Sequence, residues 1–462
     1  MASYGEFLAW IYAFTNTEKT GRFVRHRDDN LARERALLAA LDNPQRHYGI
    51  THIAGTKGKG STAAMVASIL RAAGVRTGLY SQPDLHTFRE RMRVDGVVAA
   101  EDDLVALWPA LQQAVERMPE HLLPLIMYEV STALAFLYFR EAGAQHAVIE
   151  VGLGGRLDAT NVVEPMVTAI TSISYDHMHV LGNTLSAIAG EKAGIIKPGV
   201  PVICSAQAPE AVSTIARVAA EREAPLIRTG PAGCEGCAYM WRGGDVTADL
   251  QRLTIQTPRN EYRDLELGLL GEHQLENAAA AVAVADALAD RIPQIDERAI
   301  REGLRTVRWQ ARLQVVARDP WIVVDGAHNA DSFAKLFAAL RRHFVFQRLT
   351  LVLGVMTDKD LEGIAREIGR AQVDRVITTS IDYPRAATPE ALEDLVRAHS
   401  PGAEVRAVFP MESALNSALD EAEARDLVCV AGSLYLAGAA LRWLAKRPEA
   451  IPGSIEIAGV DH

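Results

Sequence analysis

At 462 residues the chain exceeds what one hydrophobic core supports, so two or three domains are expected, with enough burial to fold without disulfides or structural metals. Its 58 acidic against 48 basic side chains give a formal charge of −10, which argues against a general nucleic-acid surface while leaving room for a local basic pocket around a small anionic ligand. No segment approaches a membrane-spanning run, residues 1–10 lack a signal-peptide pattern, and four cysteines suit a reducing compartment, so a soluble cytoplasmic protein with no membrane partner is expected.

In chain order, short β-rich runs are each followed by a turn and a helix-period segment, the mark of parallel strands with crossover helices and hence of an α/β class. Strands are expected at 49–54, 147–151, 166–173 and 200–204, with helices at 62–73 and 129–141. Between 230 and 264 the pattern changes to short alternating stretches, which suggest antiparallel strands, and a helix follows at 275–289. Cys234 and Cys237 form a lone Cys-x-x-Cys without the second pair that zinc needs, so two free thiols on a surface loop are expected. A second α/β series has strands at 321–324, 349–353, 375–379 and 427–430 and helices at 332–343, 361–370 and 434–446. The boundary between the two series is placed near residue 305, with Arg308-Trp309-Gln310-Ala311-Arg312 as a hinge, and the tail from 452 onward is expected to fray.

The chemistry begins at Gly55-Thr56-Lys57-Gly58-Lys59-Gly60-Ser61, between the first strand and its helix. Glycines let backbone N–H groups turn inward around phosphate oxygens, Lys59 supplies a mobile cation, and the Ser61 hydroxyl at a helix start suits Mg²⁺. The lysine lies between two glycines, which departs from the strict Walker A spacing. Glu150, ending a buried strand before Gly152-Leu153-Gly154-Gly155, is placed to hold a metal or, alternatively, to cap the loop's N–H groups. Downstream stand Tyr175-Asp176-His177, Glu191-Lys192-Ala193-Gly194-Ile195-Ile196-Lys197, Gly271-Glu272-His273-Gln274-Leu275-Glu276-Asn277 and Asp325-Gly326-Ala327-His328-Asn329.

These segments, in this order and over nearly the whole chain, resemble the folylpolyglutamate synthase and dihydrofolate synthase family of the Mur ligases. The resemblance implies a P-loop-containing, parallel-sheet Mur ligase-like ATPase domain at 1–305, followed by a smaller Rossmann-like α/β ligase domain at 306–462. It implies ATP-dependent addition of L-glutamate to a pterin acid or folate, with two Mg²⁺ ions, in a protein that acts as a monomer. Residue by residue, it implies ATP contacts from Gly55, Thr56, Gly58, Lys59, Gly60, Ser61, Asn277, Arg312, Asp325 and His328, and metal contacts from Ser61, Glu150, His177 and Lys192. Lys59, His177 and Lys192 would be catalytic, with Lys192 carbamylated. Each carries a plainer alternative: His177 bonding a loop carbonyl, Lys192 pairing with Glu191, Asn277 capping a helix.

Two departures from the family pattern stand out. Ser81-Gln82-Pro83-Asp84-Leu85 replaces the usual Thr-Ser-Pro-His-Leu, so Gln82 occupies the metal-binding serine position, where its carbonyl or the Ser81 hydroxyl would have to serve Mg²⁺. Gln82, Asp84 and Phe88 are the expected pterin contacts, while Tyr128 is read as core. The second departure puts Gln310-Ala311 where relatives carry Pro-Gly before the arginine. A Mur-type ligase acting on a non-folate acid, and a nucleotide-binding protein without ligase chemistry, remain as alternatives.

Overall fold

The computed structural model describes residues 3–16 and 30–446, so the expected tail from 452 lies outside the described residues. A first sheet holds β1 (Gly49–Ala54), β2 (Thr77–Tyr80), β3 (Met92–Val94), β4 (Val97–Val98), β5 (His146–Glu150), β6 (Val167–Ile170), β7 (Val202–Cys204), β8 (Leu226–Pro231), β9 (Tyr239–Val246), β10 (Gln251–Gln256) and β11 (Glu261–Leu267). Their spatial order is β11-β10-β9-β8-β7-β6-β1-β5-β2-β3-β4. The strands from β2 across to β8 run parallel, whereas β9, β10 and β11 pair antiparallel as the alternation at 230–264 suggests. The chain leaves β1 toward β5 and β2 on one side and toward β6, β7 and β8 on the other. Its order therefore reverses at the carboxyl end of β1, where open α/β sheets bind ligands.

The central strands are buried on both faces, which is why they read as near-continuous apolar runs. On one face Ile53, Val148 and Val167 pack under the helices Lys59–Ala72, His273–Ala289 and Glu297–Thr306. On the other, Ile50, Ala147 and Ile149 pack under Tyr4–Ala13, Asn30–Ala40, Glu101–Glu116 and Met127–Glu141. Small residues at 278–281 let the His273–Ala289 helix lie flat against the sheet, so its first turns reach the phosphate turn.

The second sheet holds β12 (Gln314–Ala317), β13 (Trp321–Val324), β14 (Leu349–Leu353), β15 (Arg375–Thr378), β16 (Glu404–Ala407) and β17 (Leu427–Ala431), ordered β12-β13-β17-β14-β15-β16. All its pairings are parallel except β12 with β13. The chain passes between the sheets from Thr306 to Gln314, and within that crossing Ala311 and Leu313 adopt left-handed φ of 52° and 43°.

One expectation is corrected here. Cys234 and Cys237 are joined in a disulfide rather than standing as free thiols. The turn between β8 and β9, closed by Cys237 N–H donating to the Cys234 carbonyl, brings the two Cα atoms to 5.5 Å, within disulfide reach. No helix of the described residues is long and apolar enough to cross a membrane.

Candidate active site

The phosphate turn is stitched to the end of β6. Thr56 N–H donates to the Ser172 carbonyl at 2.8 Å, and Thr171 Oγ1 donates to the Lys57 carbonyl at 2.7 Å. A Cβ on Gly55 would fall 1.8 Å from Thr171 Oγ1, so only glycine permits this approach. Gly58 caps the Lys59–Ala72 helix at φ 86°, and a Cβ there would meet Asn277 Oδ1 at 2.2 Å. Gly58→Ala is therefore expected to destabilise the protein by about 1–2 kcal/mol through the left-handed conformation alone, measured by denaturant unfolding. Nucleotide affinity should fall with it, because Asn277 must move.

Lys59 opens the helix, and the buried Ser61 accepts from Gln274 Nε2 at 3.3 Å. Asn277 Nδ2 in turn donates to Gln274 Oε1 at 2.9 Å. Asn277 lies on the second turn of its helix, so it packs on the phosphate turn and is not a cap.

Glu150 ends β5 beside this turn. A Cβ on Gly60 would stand 3.3 Å from Glu150 Oε2, and the backbone N–H of Gln82 bonds the Glu150 carboxylate. Burial pushes the Glu150 carboxyl up to about 7, against the pull of Lys59 and Arg312. The glycine loop after it is shaped by Asp158, whose Oδ2 accepts from Gly152 N and Leu153 N, both at 3.1 Å. Tyr128 is more than core: its hydroxyl donates to Asp158 Oδ1 at 2.9 Å and accepts from Gly152 N at 3.1 Å. The Gln82 side chain reaches the same place, near Tyr128 and Gly152.

Lys192 is buried, and its Nζ donates to the Gly55 carbonyl at 2.8 Å. Its alternative partner Glu191 pairs with Arg156 instead, at 3.0 Å. Burial, with Lys59 nearby, brings the Lys192 amine down to about 7. Beyond it, Lys57 bonds Asp176 at 3.1 Å. Burial pushes the Asp176 carboxyl up, but Lys57, His177 and Lys359 outweigh it and hold it well below the usual carboxylate range. His177 stands next to it in a left-handed conformation, its pKa lowered by burial.

From the second sheet, Asp325 follows β13. Its Oδ2 accepts from Leu313 N at 2.7 Å and its Oδ1 from Ala327 N at 2.8 Å. Together with Gln314 Oε1, which accepts from Ala311 N at 3.0 Å, these bonds hold the left-handed Ala311 and Leu313. That is how the crossing tolerates alanine where a glycine would be free. Arg312 lies close to Gly326 and is felt by both Asp325 and Glu150. His328 Nδ1 bonds the Gly326 carbonyl at 2.8 Å, and burial brings its imidazole down to about 4, so it is neutral.

One substrate expectation, Phe88, meets a different placement, and a second, Asp84, is already ion-paired. Phe88 is 1% exposed and packs edge-on against Phe7, because its short helix turns the ring into the core of the first sheet. The Asp84 carboxylate is paired within the loop: Arg91 Nε bonds its Oδ1 at 2.6 Å.

Residues 126–285 match the Mur ligase middle domain and residues 311–434 the Mur ligase, glutamate ligase domain. The dihydrofolate synthase/folylpolyglutamate synthase of Bacillus subtilis is 35% identical over 85% of this chain and 88% of its own length. The chain belongs to this family. The folylpolyglutamate synthase of Lacticaseibacillus casei is 34% identical over 95% of this chain and 97% of its own. Among solved structures, Escherichia coli FolC in complex with DHPP and ADP superposes with a TM-score of 0.83 at 29% identity, over 97% of this chain and 99% of that one. Mycobacterium tuberculosis folylpolyglutamate synthase complexed with ADP does so at 0.83 and 31%, over 96% and 98%. Family membership makes the chain an ATP-using ligase of the Mur type.

The donor set at the turn fits Mg²⁺. Ser61 and Glu150 supply hard oxygens beside Gly60, and the buried Glu150 carboxylate has no hydrogen-bonded cation partner among the described residues, so a divalent ion would relieve its desolvation. Gln82 brings a main-chain donor toward Glu150 and places its side chain at the same loop. Asp158, Gln274, Lys57 and Lys359 also shape the site, though no motif marks them for a role. Gln274 and Lys57 stood inside quoted motifs, whereas Lys359 lies in the loop after β14 and reaches Asp176 only through the packing of the two sheets.

Proposed function

We propose that this ligase joins L-glutamate to the carboxylate of a pterin acid, dihydropteroate or a reduced folate, through an acyl phosphate formed from ATP, and that it acts as a monomer. The observation that carries the reading is the meeting of Lys59, Ser61, Glu150, Asn277 and Lys192 around one turn, in a chain of this family.

A carboxylate is a poor electrophile because its charge repels nucleophiles and oxide is a poor leaving group. Transfer of the γ-phosphoryl group solves both problems, and the N–H groups at 55–61 with Lys59 spread the charge that develops on it. Ser61 and Glu150, with an oxygen of Gln82 or Ser81, would hold one Mg²⁺, and His177 with Lys192 a second. Mg²⁺, when bound, neutralises charge on the transferring phosphate oxygens. Arg312 faces the same phosphates from across the crossing. Asn277 lies on the adenine side. Asp325 keeps a second lone pair on each oxygen for ribose hydroxyls while holding Leu313 and Ala327, and His328 stands beside it. The glutamate amine then attacks the acyl phosphate carbonyl, and phosphate leaves from the tetrahedral intermediate.

Carbamylation of Lys192 belongs to the same reading. An amine brought to about 7 is substantially neutral at cellular pH and can add CO₂. Addition of CO₂ releases one proton and leaves one N–H on Nζ, so the bond to the Gly55 carbonyl can persist, while the carbamate would add two hard oxygens of the kind Mg²⁺ takes. Enzyme depleted of bicarbonate is expected to lose activity and regain it on bicarbonate addition. Full activity with unmodified Lys192 in bicarbonate-free buffer contradicts the carbamate.

The function itself is tested by ADP release with dihydropteroate and tetrahydrofolate side by side, each with and without glutamate. Release that needs both a pterin and glutamate supports the reading. Release stimulated only by another acid points to a different Mur-type substrate.

A further inference from the structure

A cavity of about 490 Å³ lies on the helix side of the first sheet, between the β2–β4 edge and residues 306–310, on the far side of Trp309 from the phosphate turn. Its wall carries four arginines, Arg71, Arg89, Arg93 and Arg308, and no aspartate, glutamate or lysine. In a chain of formal charge −10, such a one-signed lining stands out. Arg89 pairs with Glu101 at 3.7 Å, a carboxylate that is itself half exposed.

Arg93 stands on β3, on the wall of this cavity. Its guanidinium rests 5.8 Å from the Trp309 ring and makes no hydrogen bond or ion pair among the described residues, with its Nε fully buried. Glu90, whose charge acts on it, is committed to His86 at 2.9 Å and to the backbone N–H groups of Leu85 and His86. On the facing helix, the Ser68 hydroxyl lines the same cavity, is buried, and has no partner among the described residues. A buried guanidinium Nε and a buried hydroxyl left unsatisfied in one cavity are costly unless something occupies it. Arg71 and Arg308 close the rim while using some of their donors on the carbonyls of Asp95 and of Arg305 and Val307.

We propose that this cavity binds a small multivalent anion bearing carboxylates or phosphates, held by Arg93 and Ser68 within and by Arg71, Arg89 and Arg308 around it. Guanidinium forks suit both oxyanions, and the volume suits a short γ-linked glutamate chain or a diphosphate. The site stands apart from the ligase reading, since none of these residues belongs to the phosphate turn or its metal set. Trp309 nevertheless joins the two, with its Nε1 3.2 Å from where a Gly60 Cβ would lie.

The test is calorimetric titration of tri-γ-glutamate and of inorganic pyrophosphate, each into protein saturated with ADP and Mg²⁺ so that the phosphate turn is already filled. At least one probe is expected to bind the wild type, and Arg93→Gln is expected to weaken that probe by about tenfold or more. The probe that binds identifies the anion source. Arg308→Gln, at the exposed rim, is expected to weaken it by a few-fold and provides a second reading if Arg93→Gln folds poorly. Absence of binding by both probes to the wild type, or equal binding by both variants, overturns the proposal.

Discussion

Glu150→Gln is expected to lower glutamate-dependent ADP formation by about two to three orders of magnitude, the range seen when one preorganised group that stabilises transition-state charge is removed. The loss should come without loss of fold. Burial raises the Glu150 carboxyl from 4.5 to about 7, so between those values the folded protein binds more protons than the unfolded chain. Metal-free stability therefore falls as pH rises through that window, by about 3 kcal/mol in all, and stays low above it. Glutamine removes this penalty, so the variant should be at least as stable as the wild type at pH 8. In the wild type, Mg²⁺ should raise the thermal midpoint more at pH 8 than at pH 5, because only the ionised carboxylate binds it. Equal activity of the variant, or a magnesium effect independent of pH, sinks the metal role of Glu150.

Lys59→Met is expected to have a comparable effect on turnover, about 10²–10³-fold, but a different signature. Lys59 opens the helix above Gly58, and its charge is felt by both Glu150 and Lys192. Its removal weakens ATP more than pterin and lets the Glu150 pKa rise further, since Lys59 is the largest influence holding it down. It also relieves the buried Lys192 of a like charge, so the Lys192 amine becomes easier to protonate. Steady-state kinetics with each substrate varied separately will show whether the loss falls on ATP. Unchanged ATP kinetics would remove Lys59 from the phosphate site.

Much of this site was legible in the chain because phosphate and metal chemistry demands particular residues in short runs. Gly55 to Ser61, Glu150 and Lys192 needed only their motifs to be found, and the glycines at 55 and 58 prove obligatory for a reason sequence hints at but does not specify: Thr171 and Asn277 occupy the space a Cβ would need. The fold class was readable because buried parallel strands at 49–54, 349–353 and 427–431 keep strong apolar patterns. What could not be read depends on long-range packing. Phe88 sits in an exposed-looking polar loop, yet Phe7, from a helix more than eighty residues earlier, meets it in the core. Asp84 looks like an added charge until Arg91 is seen beside it. Asp325 reads as a ligand contact, and no local pattern reveals that it also holds Leu313 across the domain crossing. The four-arginine cavity is assembled from the Lys59–Ala72 helix, the β2–β4 edge and the crossing segment, so no single window contains it.

The central claim, ATP-driven glutamylation of a pterin acid, is tested most directly by mass spectrometry of the pterin after incubation with ATP, Mg²⁺ and isotopically labelled L-glutamate. The account predicts a product that has gained one labelled glutamyl residue in amide linkage, with one ADP formed per residue added, and none when ATP is withheld. Hydrolysis of ATP with every offered pterin recovered unchanged would contradict it.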